Sequence, residues 1–139
     1  MDKGSGVSIY ASRTADVRVP FAFYVIHGDD PSRRSSIQKA STRSINLVGL
    51  VFETPQIEVE SFHLSFTEAS FSRNAIEIHL DLGKKYDKVE LLAQVEWYER
   101  RSPDAFIVGV NFVDIPADAL EALRELLKKV RLSGGPKSK

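Results

Sequence analysis

Apolar and polar side chains alternate along several stretches of this chain, and that alternation limits the fold more than any other feature. In residues 75–82 the apolar positions are Ile76, Ile78 and Leu80, with polar residues between them. Residues 88–99 and 105–113 repeat the pattern. Successive side chains of a β-strand point to opposite faces, so these stretches predict strands with one buried face and one wet face.

Three further apolar stretches bring the number of predicted strands to six. Residues 19–27 form an apolar and aromatic run that is typical of a buried strand, and residues 45–53 and 57–68 supply the other two. In the strand at residues 88–99, Trp97 falls on the apolar face, which predicts a core position. Residues 28–36 contain an Asp-Pro-Ser run and are predicted as a loop, and residues 100–104 contain Ser-Pro-Asp and are predicted as a hairpin turn.

The period of the pattern changes after residue 115. Pro116 suits the first turn of a helix, because its missing N–H is not needed there. Leu120, Leu123, Leu127 and Val130 then follow at helical spacing and form one apolar stripe. We therefore predict a mainly β fold, a six-stranded antiparallel barrel with a C-terminal helix, since closure hides the edges of so short a meander.

The length of 139 residues predicts one domain with short flanking segments. Residues 1–12 contain Gly, Ser and Lys without a sustained period, and we expect a flexible N-terminal arm. Residues 133–139 (SGGPKSK) are expected to be a disordered basic tail. The domain itself is predicted to span residues 13–132.

Several kinds of chemistry lack the residues they need. The chain has no cysteine, which excludes a disulfide framework, a thiol nucleophile and Cys-ligated zinc. His27, His63 and His79 lie on different predicted strands and lack a metal-binding spacing, so we predict no metal site. Neither a hydrolase elbow nor a Gly-rich nucleotide loop occurs. We therefore expect no enzyme activity and no cofactor.

Charge and hydropathy restrict the environment and the partners. No apolar run approaches the roughly 20 residues of a membrane span, and residues 1–15 do not resemble a secretory signal. We expect a cytoplasmic protein without membrane insertion. The net charge is zero and no nucleic-acid motif is present, so no nucleic-acid partner is expected. Residues 1–50 carry seven Lys and Arg against four Asp and Glu, which either reflects chance or suits an anionic ligand.

Two short segments on either side of the first predicted strand carry the strongest functional signal. Residues 13–20 (RTADVRVP) and 44–49 (SINLVG) resemble the two-part ligand motif of the PilZ family, RxxxR followed by [DN]xSxxG. Residues 93–97 (AQVEW) and 108–114 (VGVNFVD) resemble two strands of the same family. The resemblance covers about residues 13–130, and it implies a six-stranded antiparallel barrel with a C-terminal helix.

PilZ domains bind the bacterial second messenger cyclic di-GMP, so the resemblance implies a receptor domain for that nucleotide. Arg18 and Gly49 match the motif outright. The first arginine position falls on Thr14, next to a displaced arginine, and two other motif positions hold different small polar residues. The implied ligand-binding residues are Arg13, Arg18, Ser44, Asn46 and Gly49.

The altered motif leaves a second function open. The resemblance implies output to a protein effector in motility or biofilm regulation, with a homo-oligomer also possible. The alternative is a PilZ-like adaptor that has lost nucleotide binding and acts through protein–protein interaction. In that case Ser44 and Asn46 satisfy local backbone groups, and Gly49 marks a bulge or a close approach of two backbones.

A basic cluster lies in the first long predicted loop. Its members are Arg33, Arg34, Lys39 and Arg43. Such clusters are usually solvated surface, but this one could also hold phosphate in place of the displaced arginine.

Overall fold

The structure, a computed structural model, describes residues 14–67, 70–83 and 89–134. Its strands and its helix are β1 Pro20–Ile26, β2 Gln38–Ile45, β3 Gly49–Thr54, β4 Glu58–Val59, β5 Phe62–His63, β6 Ala75–Leu80, β7 Val89–Ser102, β8 Ala105–Asp114 and α1 Ala117–Gly134. Six of the strands close into an antiparallel barrel in the order β1-β2-β3-β8-β7-β6, with β6 paired back to β1. The predicted fold class is confirmed.

Alternating side chains from all six strands fill the barrel. Ile76, Ile78 and Leu80 of β6 are buried, as their spacing predicts. Phe21 and Phe23 of β1 pack against Phe52 of β3, with ring centroids 5.3 and 5.4 Å apart. This aromatic contact joins strands that are not neighbours in the sheet, so it holds the barrel closed across its interior.

The barrel strands are not the six that the apolar pattern predicted. The prediction placed a loop where β2 lies, and it placed a barrel strand at residues 57–68, where the chain instead forms the separate hairpin β4-β5. The predicted strand at residues 45–53 combines the end of β2, a turn and β3. In the mostly polar β2, QKASTRSI, only Thr42 and Ile45 are buried, so the strand carries no apolar alternation to detect.

Four β-bulges interrupt the described part of the barrel ladder, and each inserts one extra residue into its strand. Arg43 is the extra residue of β2, between the paired positions Thr42 and Ser44. In β7 the extra residues are Glu96 and Arg101, and in β8 the extra residue is Val113. A bulge changes which face the following side chains occupy. The core position predicted for Trp97 is therefore wrong: the residue after Glu96 is 44% exposed.

Helix α1 covers part of the barrel with its buried residues Ala119, Ala122 and Leu123. Pro116 precedes the helix, and its carbonyl accepts a hydrogen bond from the N–H of Leu120 at 2.9 Å. The helix ends at Gly134, two residues beyond the predicted domain end, while residues 1–12 and 135–139 lie outside the described residues. In the described part of the chain, no helix combines the length and hydropathy needed to cross a membrane.

Candidate functional site

The second motif segment forms the turn between β2 and β3, and Asn46 organises that turn. Its Oδ1 accepts hydrogen bonds from the N–H groups of Val48 and Gly49, at 2.8 and 2.9 Å. The N–H of Asn46 donates to the carbonyl of Gly49 at 3.0 Å. An Asn side chain that bonds the backbone two and three residues ahead stabilises a tight turn. The Oδ1 of Asn46 is therefore engaged within the protein.

Gly49 begins β3 at a point where two backbones come close. It pairs with Asn111 of β8, and a Cβ atom added to Gly49 would lie 2.0 Å from the carbonyl oxygen of Val110. No side chain fits at that distance. The predicted close approach of two backbones is therefore present at Gly49.

The first motif segment lies alongside β2, which brings the two segments together. Ala15 and Ile45 exchange backbone hydrogen bonds of 2.9 and 3.0 Å. The hydroxyl of the buried Thr42 accepts from the N–H of Val19 and donates to the carbonyl of Val17. These bonds attach residues 15–19 to the barrel just before β1 begins.

The first arginine position of the motif is filled by a neutral side chain. Thr14 stands there, and its Oγ1 accepts a hydrogen bond from Nδ2 of Asn46 at 3.0 Å. The displaced Arg13 lies outside the described residues. The two segments therefore meet directly, through a contact that uses the amide of Asn46.

A pocket of about 180 Å³ opens beside this turn, and we call it the turn pocket. Its polar lining residues are Thr14, Ser44, Asn46, Glu96 and Asn111. The side chain of Asn111 donates to the carboxylate of Glu96 at 2.6 Å, which links β8 to β7 across the pocket. Trp97 and Gly49 also line it.

A larger open pocket of about 570 Å³, the arginine pocket, adjoins the first. Ser44, Val51 and Trp97 line both pockets, so the two are parts of one surface, which we call the outer site. The arginine pocket is also lined by Arg18, Arg43, Arg101 and Asp16. The structure thus brings Arg18, Ser44, Asn46 and Gly49 to one surface.

Trp97 occupies the centre of the outer site because Gly109 leaves room for it. A Cβ atom at Gly109 would lie 2.3 Å from the indole Nε1 and 2.4 Å from Cε2. The ring therefore rests directly on the backbone of β8 while 44% of the residue stays exposed. An exposed indole supported in this way can stack on a planar base. The sequence reasoning missed this residue, although the pairing of a Trp with a strand glycine is the signal that was available.

Two arginines of the outer site form weak ion pairs within the protein. Arg43 lies 3.7 Å from Glu53, and Arg101 lies 3.8 Å from Glu99. All four side chains are about half exposed, and ion pairs of that kind contribute little to stability. A phosphate can therefore compete for these guanidinium groups with little loss.

The predicted basic cluster is spread over several places. The guanidinium of Arg33 lies over the ring of Phe62, and that of Arg34 lies over Tyr24. Lys39 lines a third pocket, of about 770 Å³, which also includes Arg18. Of the four predicted members, Arg43 alone lines the arginine pocket.

A different group of side chains bears on the prediction that the chain has no metal site. Glu77, His79 and Glu90 place their ligand atoms within 4.8 Å of one another on β6 and β7. His79 Nε2 lies 3.0 Å from Glu77 Oε2, as in a hydrogen-bonded pair. The sequence reasoning did not anticipate this group, because it compared histidines only with each other. The group is partly solvent-accessible, and the hydrogen bond joins two of its three members.

Similarity to known proteins was found at the level of structure. A scan against models of protein families and a search of curated proteins give no match. The inhibitor of motility MotI/DgrA from Bacillus subtilis superposes on this chain with a TM-score of 0.58 at 11% sequence identity. The match covers 86% of this chain and 49% of MotI/DgrA, so this chain spans about half the length of MotI/DgrA. The PilZ domain of YcgR from Escherichia coli, solved with c-di-GMP, gives a TM-score of 0.55 at 10% identity, covering 88% and 94%. The chain has the PilZ-domain fold.

Proposed function

We propose that this chain is a non-catalytic receptor domain that binds cyclic di-GMP at the outer site. The observation that carries the proposal is that the two motif segments, far apart in sequence, line one surface together with an exposed tryptophan. The PilZ-domain fold, shared with a domain solved with c-di-GMP, supports the same ligand.

The side chains of the outer site match the chemistry of a cyclic dinucleotide. Arg18 lines the arginine pocket, and its planar guanidinium can grip a phosphate with two hydrogen bonds or donate to guanine O6 and N7. Trp97 offers an aromatic face for one base. Ser44 lies between them, in both pockets, with a hydroxyl that can donate or accept.

In this proposal Asn46 and Gly49 shape the site. Asn46 uses its amide to hold the turn and Thr14, and Gly49 allows β3 to approach β8. These two residues can contact the ligand only where they line the turn pocket. In this proposal the arginines, which carry the positive charge, make the contacts to the phosphates.

The proposed signal is a change in how the N-terminal segment, residues 15–19, packs against the barrel. A ligand that contacts both Arg18 and the sheet stabilises the docked segment, because it binds that arrangement better than the undocked one. The docked segment then presents a surface to a protein effector, or to a second copy of the chain in a homo-oligomer. We place this relay in the cytoplasm, in the control of motility or biofilm formation.

The second candidate is an adaptor that has lost the nucleotide. The observation that favours it is the hydrogen bond between Thr14 and Asn46. It shows that one motif position is neutral and that the side chain of another is engaged within the protein. In this reading the exposed Trp97 and Val48 belong to a protein–protein contact.

Calorimetric titration with cyclic di-GMP at physiological salt separates the two candidates, with cyclic di-AMP and GTP as control ligands. The receptor predicts saturable binding of cyclic di-GMP alone, and strong weakening in Arg18→Ala. Arg124→Ala, on the exposed face of α1, is the matched control and should bind like the wild type. Absence of heat at ligand concentrations above about 100 μM would reject the receptor and favour the adaptor.

A further inference from the structure

We infer that Arg43 and Arg101, each presented by a β-bulge, take the place of the missing first arginine and grip the phosphates of the ligand from the sheet side. The inference rests on the proposed function, since it concerns the same ligand. It places two cations of the site on the barrel strands β2 and β7.

The bulge in β2 accounts for the position of Arg43. Thr42 pairs with Phe52 and Ser44 pairs with Val51, so Arg43 has no partner position on β3. An extra residue of this kind is released from the ladder, and bulges recur beside functional sites because they redirect a side chain. Arg43 lines the arginine pocket, with its side chain 47% exposed.

A bulge in β7 accounts for the position of Arg101, which lines the same pocket. Arg100 pairs with Phe106 and Ser102 pairs with Ala105, which leaves Arg101 as the extra residue. The neighbouring Arg100 is engaged elsewhere: its guanidinium lies over the ring of Phe106 at 5.9 Å and donates to the carbonyl of Ser102. Arg101, 56% exposed, lines the arginine pocket. Two adjacent arginines thus have different surroundings, and the bulged one belongs to the outer site.

The other bulge of β7 places an aromatic ring in the same pocket as these cations. Glu96 is the extra residue there, and Trp97 after it lines both pockets of the outer site. A base stacked on the indole would lie among Arg18, Arg43 and Arg101. Three of the four bulges in the described ladder therefore place a residue at the outer site.

The charge balance suits a ligand with two phosphodiester groups. Three arginines line the arginine pocket together with one carboxylate, that of Asp16. The carboxylates Glu53 and Glu99 approach Arg43 and Arg101 only to 3.7 and 3.8 Å. Charge-assisted hydrogen bonds from arginine to phosphate are shorter and stronger than such loose surface pairs. The surplus positive charge is available to the ligand.

The test uses the full chain and reads ligand binding by calorimetry and by the fluorescence of Trp97, which is the only tryptophan in the sequence. We expect Arg43→Ala and Arg101→Ala each to raise the Kd for cyclic di-GMP by about 10-fold to 100-fold, the loss expected for one charge-assisted contact. Arg100→Ala, on the same strand with the same charge change, is the matched control, and its Kd should stay within about 3-fold of the wild type.

The outcomes separate this inference from the proposed function. If Arg18→Ala loses binding while Arg43→Ala and Arg101→Ala bind like the wild type, the inference is overturned and the receptor function stands. If the wild type binds no cyclic di-GMP, both are overturned. Arg43→Lys and Arg101→Lys keep the charge but lose the planar fork, so an intermediate Kd in those variants, with unchanged thermal unfolding, would support the inference.

Discussion

At the scale of individual residues, the outer site depends on the contact between Trp97 and Gly109. Gly109 is buried in β8, and the indole lies where its side chain would be. Gly109 is therefore needed because it has no side chain, and not because of its backbone conformation. A change of one methyl group tests whether the position of the ring matters.

Gly109→Ala should displace the indole, because the new Cβ would lie 2.3 Å from Nε1. We expect a shift in the emission maximum of Trp97, weaker cyclic di-GMP binding and a loss of about 1–3 kcal/mol in the free energy of unfolding. Emission spectra, calorimetry and urea denaturation measure the three effects. An unchanged spectrum together with unchanged binding would show that the ring does not need this support.

Asn46 should be more important for stability than its turn position suggests. Asn46→Ala leaves the N–H groups of Val48 and Gly49 without their acceptor, and we expect a loss of about 1–3 kcal/mol in the free energy of unfolding. Asn46→Asp is the matched variant, since it keeps an acceptor for the turn while it replaces the donor to Thr14 with a charged oxygen. Urea denaturation should rank Asn46→Ala as the less stable of the two.

The hydrogen bonds of the Asp29 carboxylate lead us to expect that the folded state becomes less stable in acid. Hydrogen bonds from the hydroxyls of Ser70 and Ser72, at 2.5 and 2.6 Å, hold the pKa of Asp29 below its ordinary value of 3.8. A group with a lower pKa in the folded state stabilises the fold above its unfolded pKa, and the effect is lost as the pH falls through the folded pKa.

We therefore expect Asp29→Asn to be less stable than the wild type at pH 7, with a difference that shrinks as the pH falls below 3.8. Urea denaturation across that range measures it. Asp104→Asn, on an exposed turn, is the control. A difference between Asp29→Asn and the wild type that stays constant with pH would contradict the proposed role of these hydrogen bonds.

At the level of elements, the irregular parts of the strands matter more for the site than the regular parts. The regular ladder of β6 follows the apolar pattern directly, so those residues were predictable. The bulges of β2 and β7 were not, because one inserted residue leaves the local composition unchanged while it alters every later position. The wrong prediction for Trp97 has this physical basis, whereas β2 was missed because most of its residues are polar.

One buried hydroxyl, that of Thr42, helps the backbone hydrogen bonds to attach residues 15–19 to β2. Thr42→Val keeps the shape of the side chain but removes the partner of Val17 and Val19, and we expect a loss of about 1–3 kcal/mol. Amide exchange at Ala15 and Ile45 should become faster, since their backbone bonds continue the same contact. Thr54→Val, another buried threonine, is the control and should leave exchange at Ala15 unchanged.

At the scale of the whole molecule, the closed barrel provides a rigid wall, and the N-terminal segment lies against it. All six barrel strands are paired on both sides, so the outer site is built on a surface without a free edge. The ligand, in the proposed function, joins this wall to the segment that carries Arg18. Binding should therefore stabilise the whole fold.

We expect cyclic di-GMP at 100 times its Kd to add about 2.7 kcal/mol to the free energy of unfolding and to raise the melting temperature by several degrees. Differential scanning calorimetry with and without the ligand measures this shift. Cyclic di-AMP should leave the melting temperature unchanged, and so should cyclic di-GMP added at the same concentration to Arg18→Ala. A shift of equal size with both nucleotides would argue against a specific site.

The sequence by itself determined the fold class, the terminal helix and the two segments that meet at the outer site. Apolar periodicity and the placement of Arg18 and Gly49 are local signals, and a local signal can be read without knowing the rest of the chain. Only the tertiary structure decided that Arg43, Trp97 and Arg101 join them. Their position depends on bulges and on the glycine facing the indole, which arise from pairing between strands that are distant in sequence.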